Sequence, residues 1–250
     1  MAQVLSSSGL PPMLFVEKHL IELSRIGYVP QGTFGMVPAK WAADVANDFA
    51  ETAVLSKRPI GRKEVEAVCL SSASAAEVFF TCMSWGAMHR VHGRAAWQLR
   101  QSWLHYIDEL RSAPFSRSEA YNRFQLMRTS GALTNIGPAY FTKLIYFCGA
   151  RNLDAERGFI MDQWTARSIH LLTGRRSIKL IKNYGQDSWR VSDDNPSAVY
   201  EAYCGTVLAL ASELSRLEGR AVTGAEAEER IFSQGWGKGA WRNYLIANEE

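Results

Sequence analysis

The chain has 250 residues, 47% of them hydrophobic and 21% charged. That is too apolar for a disordered chain and long enough for one domain or a compact pair of lobes. A formal net charge of +3 permits nucleic-acid contact through local patches without demanding it. The four cysteines, Cys69, Cys82, Cys148 and Cys204, never fall at CxxC spacing. This argues against a zinc ribbon or closely spaced iron–sulfur ligands and fits reduced thiols in a cytoplasmic setting. The opening MAQVLSSSGLPPMLF has no basic region followed by a long apolar core, so no secretion signal is expected, and without a stretch of 18 apolar residues no membrane span is expected either.

In chain order, the first expected helix covers 12–26, with Leu14, Phe15, Leu20, Leu23 and Ile26 on one stripe and Gly27 at its end. Pro30, Gly32, Gly35 and Pro38 make 28–38 a loop. An Ala-rich helix over 39–55 follows, then helices over 62–70 and 74–89. The stretch 95–111 (AAWQLRQSWLHYIDELR) reads as one amphipathic helix, and another starts at Ser116 or Ser118 and runs to 130. Residues 162–173 and 195–217 are also helical in pattern, and 225–247 hold one or two more. The best strand candidate is 176–184 (RSIKLIKNY). The expectation is an all-α protein.

The most informative stretch is 126–150, LMRTSGALTNIGPAYFTKLIYFCGA. One helix ends near Gly131, and Asn135-Ile136-Gly137-Pro138 makes a tight turn. Pro138 suits the first position of the next helix, where its missing N–H has no partner to lose. Phe141, Leu144, Ile145 and Cys148 form the buried stripe of that helix. A turn of this kind presents backbone N–H groups at a helix start, which bind phosphate without reading the base. An ordinary helical hairpin in a bundle core has the same pattern.

The stretch resembles the helix-hairpin-helix motif of DNA glycosylases, in which Asn135-Ile136-Gly137-Pro138 matches the second half of the turn. Asn135 stands where the family has its first glycine, and asparagine tolerates the same left-handed backbone. The sequel GFIMDQWTARSIHLLTG supports the likeness: Phe159-Ile160-Met161 precedes Asp162, and a helix then closes at Gly174. The resemblance spans residues 118–175 and is nearest to the 8-oxoguanine DNA glycosylase-like branch with its compact prokaryotic members. It implies a two-lobed helical bundle with the hairpin at the cleft, forming a single domain over 1–250. It implies a monomer acting on double-stranded DNA that carries a damaged or modified base, with no cofactor and no membrane partner. Some compact relatives suit hypermodified bases of viral DNA, so repair and antiviral defence are both open.

The resemblance puts the family lysine at Ala139, which departs from the pattern; Lys143 lies one turn later, about 40° around the helix. Helical side chains lean toward the N-terminus, so Lys143 can cover the space over Ala139. Lys143 precedes Asp162 by 19 residues, a separation similar to that in the family. Lys143 and Asp162 are therefore the catalytic candidates: an amine to attack C1′ and a carboxylate to stabilise positive charge on the sugar. Read without the family, Lys143 is a solvated helix-surface lysine and Asp162 an N-cap. The DNA-binding candidates are Asn135, Gly137, Ala139, Arg128, Arg175 and Arg176, within a basic stretch that also holds Arg151, Lys179 and Lys182. The base-pocket candidates are Trp85 and Trp236, which sit beside glycines, and Gln163 and Trp164, which follow Asp162; core packing is the other reading of each tryptophan. The histidines have no metal-ligand spacing, and no metal is expected. A non-catalytic helix-hairpin-helix DNA-binding protein is the alternative.

Overall fold

The computed structural model describes residues 15–49, 52–112, 115–149, 156–183, 188–232 and 239–249. The helices are α1 (Glu17–Ile26), α2 (Pro38–Val45), α3 (Arg62–Leu70), α4 (Ala75–Trp85), α5 (Arg90–Gln98), α6 (Arg100–Trp103), α7 (His105–Ser112), α8 (Arg117–Thr129), α9 (Pro138–Cys148) and α10 (Gln163–Thr173). A short antiparallel ribbon, β1 (Leu180–Lys182) and β2 (Trp189–Val191), precedes α11 (Ser197–Glu218), α12 (Gly224–Phe232) and α13 (Ala240–Asn248). The fold is all-α.

Side-chain caps set several helix starts. Ser74 and Ser116 accept from the backbone N–H groups of Glu77 and Glu119, whose carboxylates accept in return from the cap residues' own N–H groups. Each reciprocal cap satisfies two donors that a helix start leaves over.

The helices form two groups. In the first, α2 packs on α4 and α5, α3 packs on α4, and α4 packs on α7. In the second, α11 packs on α1, α8 and α12, and α10 packs on α1, α12 and α13. Helix α9 lies between them and touches α3, α4, α7 and α8. One continuous core runs through both groups. Trp41, Phe79, Phe80, Trp97 and Trp103 fill it on one side, and Tyr121, Phe124, Phe141 and Tyr200 on the other. The Phe124 and Phe141 rings stack at 5.1 Å, a contact worth about 0.5–1.5 kcal/mol beyond area burial.

Several expected elements differ. The helix expected over 95–111 is broken at Leu99 (φ −96°, ψ 10°) and again after Trp103, giving α5, α6 and α7. Trp97, Trp103, Tyr106 and Ile107 all need the same core, and the Trp103 indole donates to the Ala96 carbonyl at 3.0 Å, which holds the bend. The helix expected over 39–55 stops at Val45; Asp48 beyond it accepts the Trp97 indole at 2.8 Å and pairs with Arg100. The first helix begins at Glu17; residues 12–14 lie outside the described residues. The strand expected over 176–184 shortens to Leu180–Lys182, and its partner Trp189–Val191 was not anticipated.

Candidate active site

The hairpin turn is built from two unusual backbone positions. Gly131 (φ 77°) ends α8, and Asn135 takes φ 61° before the turn. Apart from Ala87 (φ 53°), Asn135 is the one non-glycine described residue in the left-handed region, and both line the same cavity. Outside glycine the left-handed region is uncommon, and asparagine is among the residues that adopt it most readily. Gly137 caps α9, and its carbonyl accepts the Tyr140 and Phe141 N–H groups.

Because α9 has helices on several sides, nearly every residue in it is buried, and Lys143 is only 3% exposed. Its side chain runs back along the helix, and its Nζ donates to the Ala139 carbonyl. Space for its stem comes from Gly86: a Cβ there would stand 2.9 Å from Lys143 Cδ. Burial holds the Lys143 ammonium below the ordinary lysine value. The Asp162 and Glu228 carboxylates oppose that shift and the Arg62 guanidinium adds to it. Glu228 is fully buried and takes both Nη atoms of Arg62, joining α12 to α3. Arg62 in turn lies over the Trp85, Tyr146 and Phe232 rings, 5.0–5.8 Å from their centroids.

Asp162 caps α10. Its Oδ1 accepts from the N–H groups of Trp164 (2.8 Å) and Thr165 (3.0 Å), and Thr165 Oγ1 accepts from the Asp162 N–H at 3.0 Å. Both cap bonds thus fall on one carboxylate oxygen. The segment before Asp162 is pinned to the core. Phe159 and Ile160 carbonyls accept from the Tyr200 (2.9 Å) and Tyr203 (2.5 Å) hydroxyls. The Met161 N–H donates at 3.0 Å to Thr142 Oγ1, which itself donates to the Pro138 carbonyl at 2.6 Å. Thr142 therefore ties the residue before Asp162 to the residue before Lys143.

Lys143 and Asp162 line one cavity of about 1150 Å³. Its walls come from α9 and the hairpin (Asn135, Gly137, Ala139), from α10 (Gln163, Trp164), from β2 (Trp189, Arg190), and from Phe34, Gly86, Phe232 and Arg242. That volume is just above the upper end of the roughly 300–1,000 Å³ range of ligand pockets.

A comparison with family models matches residues 27–232 to the family described as "Putative 8-oxoguanine DNA glycosylase OGG-like protein". The chain belongs to the OGG-like family. No curated protein and no solved structure matches it.

In this OGG-like chain the sequence-derived candidates separate into those on the cavity and those off it. Asn135, Gly137, Ala139, Arg128, Lys143, Asp162, Gln163 and Trp164 all line it. Arg128 is held there by Asp193, which receives its Nε at 3.1 Å and its Nη2 at 2.5 Å. Arg175 and Arg176 are exposed at the far end of α10, about 16 Å along the helix from Asp162, and off the cavity wall. Trp85 requires a correction: it is fully buried, edge-on to Phe147 and Phe34 and stacked on Phe232, so its ring faces no cleft. The neighbouring Gly86 serves the lysine stem instead of exposing the indole. Trp236 and Arg151 lie outside the described residues.

The sequence reading missed Gly86, Thr142, Phe34, Phe232, Trp189 and Arg242. Arg242 lies 4.0 Å from the Trp164 ring centroid, and burial lowers its pKa while Asp162 opposes the shift. Gly86 fell inside the helix expected over 74–89, which instead ends at Trp85 with Gly86 as its cap. Among the described residues no helix is long and apolar enough to cross a membrane, and no group of three or more His, Cys, Asp or Glu side chains could hold a metal.

Proposed function

We propose that the chain is a DNA glycosylase with an associated lyase step. It turns a modified nucleotide out of double-stranded DNA and cuts its C1′–N bond, with Lys143 as nucleophile and Asp162 as the stabilising carboxylate. One observation carries this reading: a buried lysine and a helix-capping aspartate, from separate segments, line one cavity beside a helix-hairpin-helix turn. Family membership supports it.

The chemistry needs these residue types. As the C1′–N bond stretches, positive charge grows on the sugar, and the Asp162 carboxylate lowers the energy of that charge. A neutral Lys143 Nζ gives its lone pair to C1′. The bonding pair leaves with the base, which takes up a proton, and Nζ sheds one. Opening of the sugar ring then gives an iminium between Nζ and C1′. Loss of a C2′ proton expels the 3′-phosphate, and water releases the lysine. Burial favours the neutral amine this sequence requires. Target nucleotides must leave the stack, since their C1′ is out of reach in a duplex. The hairpin turn and Arg128 would hold the backbone meanwhile.

The test is a set of duplexes carrying 8-oxoguanine, uracil, an alkylated purine or glucosylated hydroxymethylcytosine, scored for base release, nicking and borohydride trapping. An oxidised-purine substrate would assign repair, and a glucosylated one antiviral defence. Asp162→Asn should lower excision about 10²–10³-fold, and Lys143→Gln should abolish trapping. If no duplex loses a base, the glycosylase reading falls. If the wild type never traps and Lys143→Gln still excises, water activated by Asp162 is the nucleophile and the lysine role is wrong.

A further inference from the structure

The β1–β2 ribbon is extended chain inserted into a helical molecule, and it is fastened directly to the candidate catalytic helix. Gln163, the residue after Asp162, accepts the Trp189 N–H on its Oε1 at 2.9 Å. Strand β2 packs on both α9 and α10, the helices that carry Lys143 and are capped by Asp162. Asn195 locks the root of the ribbon: its Oδ1 accepts the Lys179 N–H at 2.7 Å, and its Nδ2 donates to the Lys179 carbonyl at 2.9 Å. The Asn195 carbonyl accepts the Tyr121 hydroxyl at 3.1 Å, which ties that root to α8.

On β2 the side chains alternate. Val191 is buried, Trp189 is half-buried and Arg190 is exposed. Trp189 and Arg190 nevertheless both border the cavity. Lys182, paired with Trp189 in the ribbon register, holds its ammonium 5.9 Å from the Trp189 ring. An aromatic platform flanked by cations suits a nucleic-acid strand: bases stack on the ring and phosphates pair with the charge. Just beyond β2, Asp193 takes the Arg128 guanidinium and stands 3.6 Å from where a Cβ on Gly137 would be, so the ribbon also meets the hairpin turn.

We propose that the ribbon is a second DNA-contacting element, in which the Trp189 indole stacks on a base flanking the extruded nucleotide and Arg190 pairs with a phosphate of the same strand. This rests on the glycosylase reading of the cavity. Neither contact requires knowing which base is excised.

The experiment uses the full chain and a fluorescent duplex carrying a tetrahydrofuran abasic-site analogue, with the intact duplex as reference. Trp189→Ala should weaken binding of the abasic duplex about tenfold, while Trp189→Phe, which keeps a stacking ring, stays within about threefold of wild type. Arg190→Gln should lower the slope of log affinity against log salt by about one. Wild-type affinity for the abasic duplex in Trp189→Ala together with an unchanged salt slope in Arg190→Gln would overturn the proposal. So would Trp189→Phe binding as weakly as Trp189→Ala, which would make the ring a packing element. Should Trp189→Ala unfold, as judged by its thermal melt, the Arg190→Gln slope decides alone. A wild type that binds abasic and intact duplexes equally would count against the glycosylase reading, while loss of intact-duplex binding in the two variants would still support the ribbon contact.

Discussion

At the scale of single residues, Lys143 is where stability and chemistry oppose each other. A lysine buried to 3% exposure is disfavoured in its charged form, and the neutral form that burial promotes is the nucleophilic one. Replacing it by methionine, similar in length and apolar, should raise stability by about 1–2 kcal/mol at neutral pH while eliminating borohydride trapping. Urea titration measures the first effect. The pH dependence has a definite sign. The unfolded chain keeps the lysine proton up to its ordinary value of 10.5, whereas the folded chain releases it earlier. Wild-type stability therefore rises with pH through that window, and the advantage of Lys143→Met shrinks across it. Trapping should likewise rise with pH and level off below 10.5. The Asp162 cap was legible in the sequence because an apolar run, an aspartate and then a helical pattern closed by Gly174 mark a helix start. The burial of Lys143 was not legible. A single apolar stripe on 138–148 fits a helix with one buried face, and nothing local reveals that α9 is enclosed by neighbours distant in sequence. The same blindness put Trp85 beside the cleft: a glycine neighbour reads as exposure, but here it makes room for a side chain from α9.

At the scale of elements, the Thr142 hydroxyl links helix to loop. It accepts the Met161 N–H and donates to the Pro138 carbonyl, so one hydroxyl sets the register of the Asp162 segment against α9. Thr142→Val keeps the shape, leaves the buried Met161 N–H unpaired and should cost about 1–3 kcal/mol. Excision, assayed on whichever duplex the wild type cuts and below the variant's melting range, should fall further than that of a core variant of equal stability, since the carboxylate would drift from C1′. Equal activity in the two variants would reduce Thr142 to a structural residue. Element boundaries followed from the chain where caps are explicit, as at Ser74, Ser116 and Asp162. They failed at 95–111, where the hydrophobic period continues through Leu99 while the backbone bends so that Trp97 and Trp103 can share one core. The ribbon was half visible: three residues per strand are too few for alternation to register, and β2 exists because β1, Gln163 and Asn195 hold it.

At the scale of the whole molecule, the all-helical class was readable because helical periods dominate the chain. The grouping of helices around α9 was not, since it depends on contacts between segments far apart in sequence. That grouping buries Lys143 and roots the half-buried Asp162 on the core residues Phe159, Ile160 and Met161. Loss of excision on heating should therefore coincide with loss of near-ultraviolet circular dichroism; a site that fails several degrees earlier would mean that the cavity opens as a separate unit.

The Arg62–Glu228 pair has a consequence for any attempt to divide the chain. Cutting between α7 and α8 would send the guanidinium into one fragment and the carboxylate into the other. Each fragment would then carry an uncompensated charge on the apolar face it must bury, a defect worth about 3–5 kcal/mol when one partner is missing. Mixed, each would supply the counter-ion the other lacks, so the pair would work as a recognition key by which matching halves find each other and mismatched ones are refused.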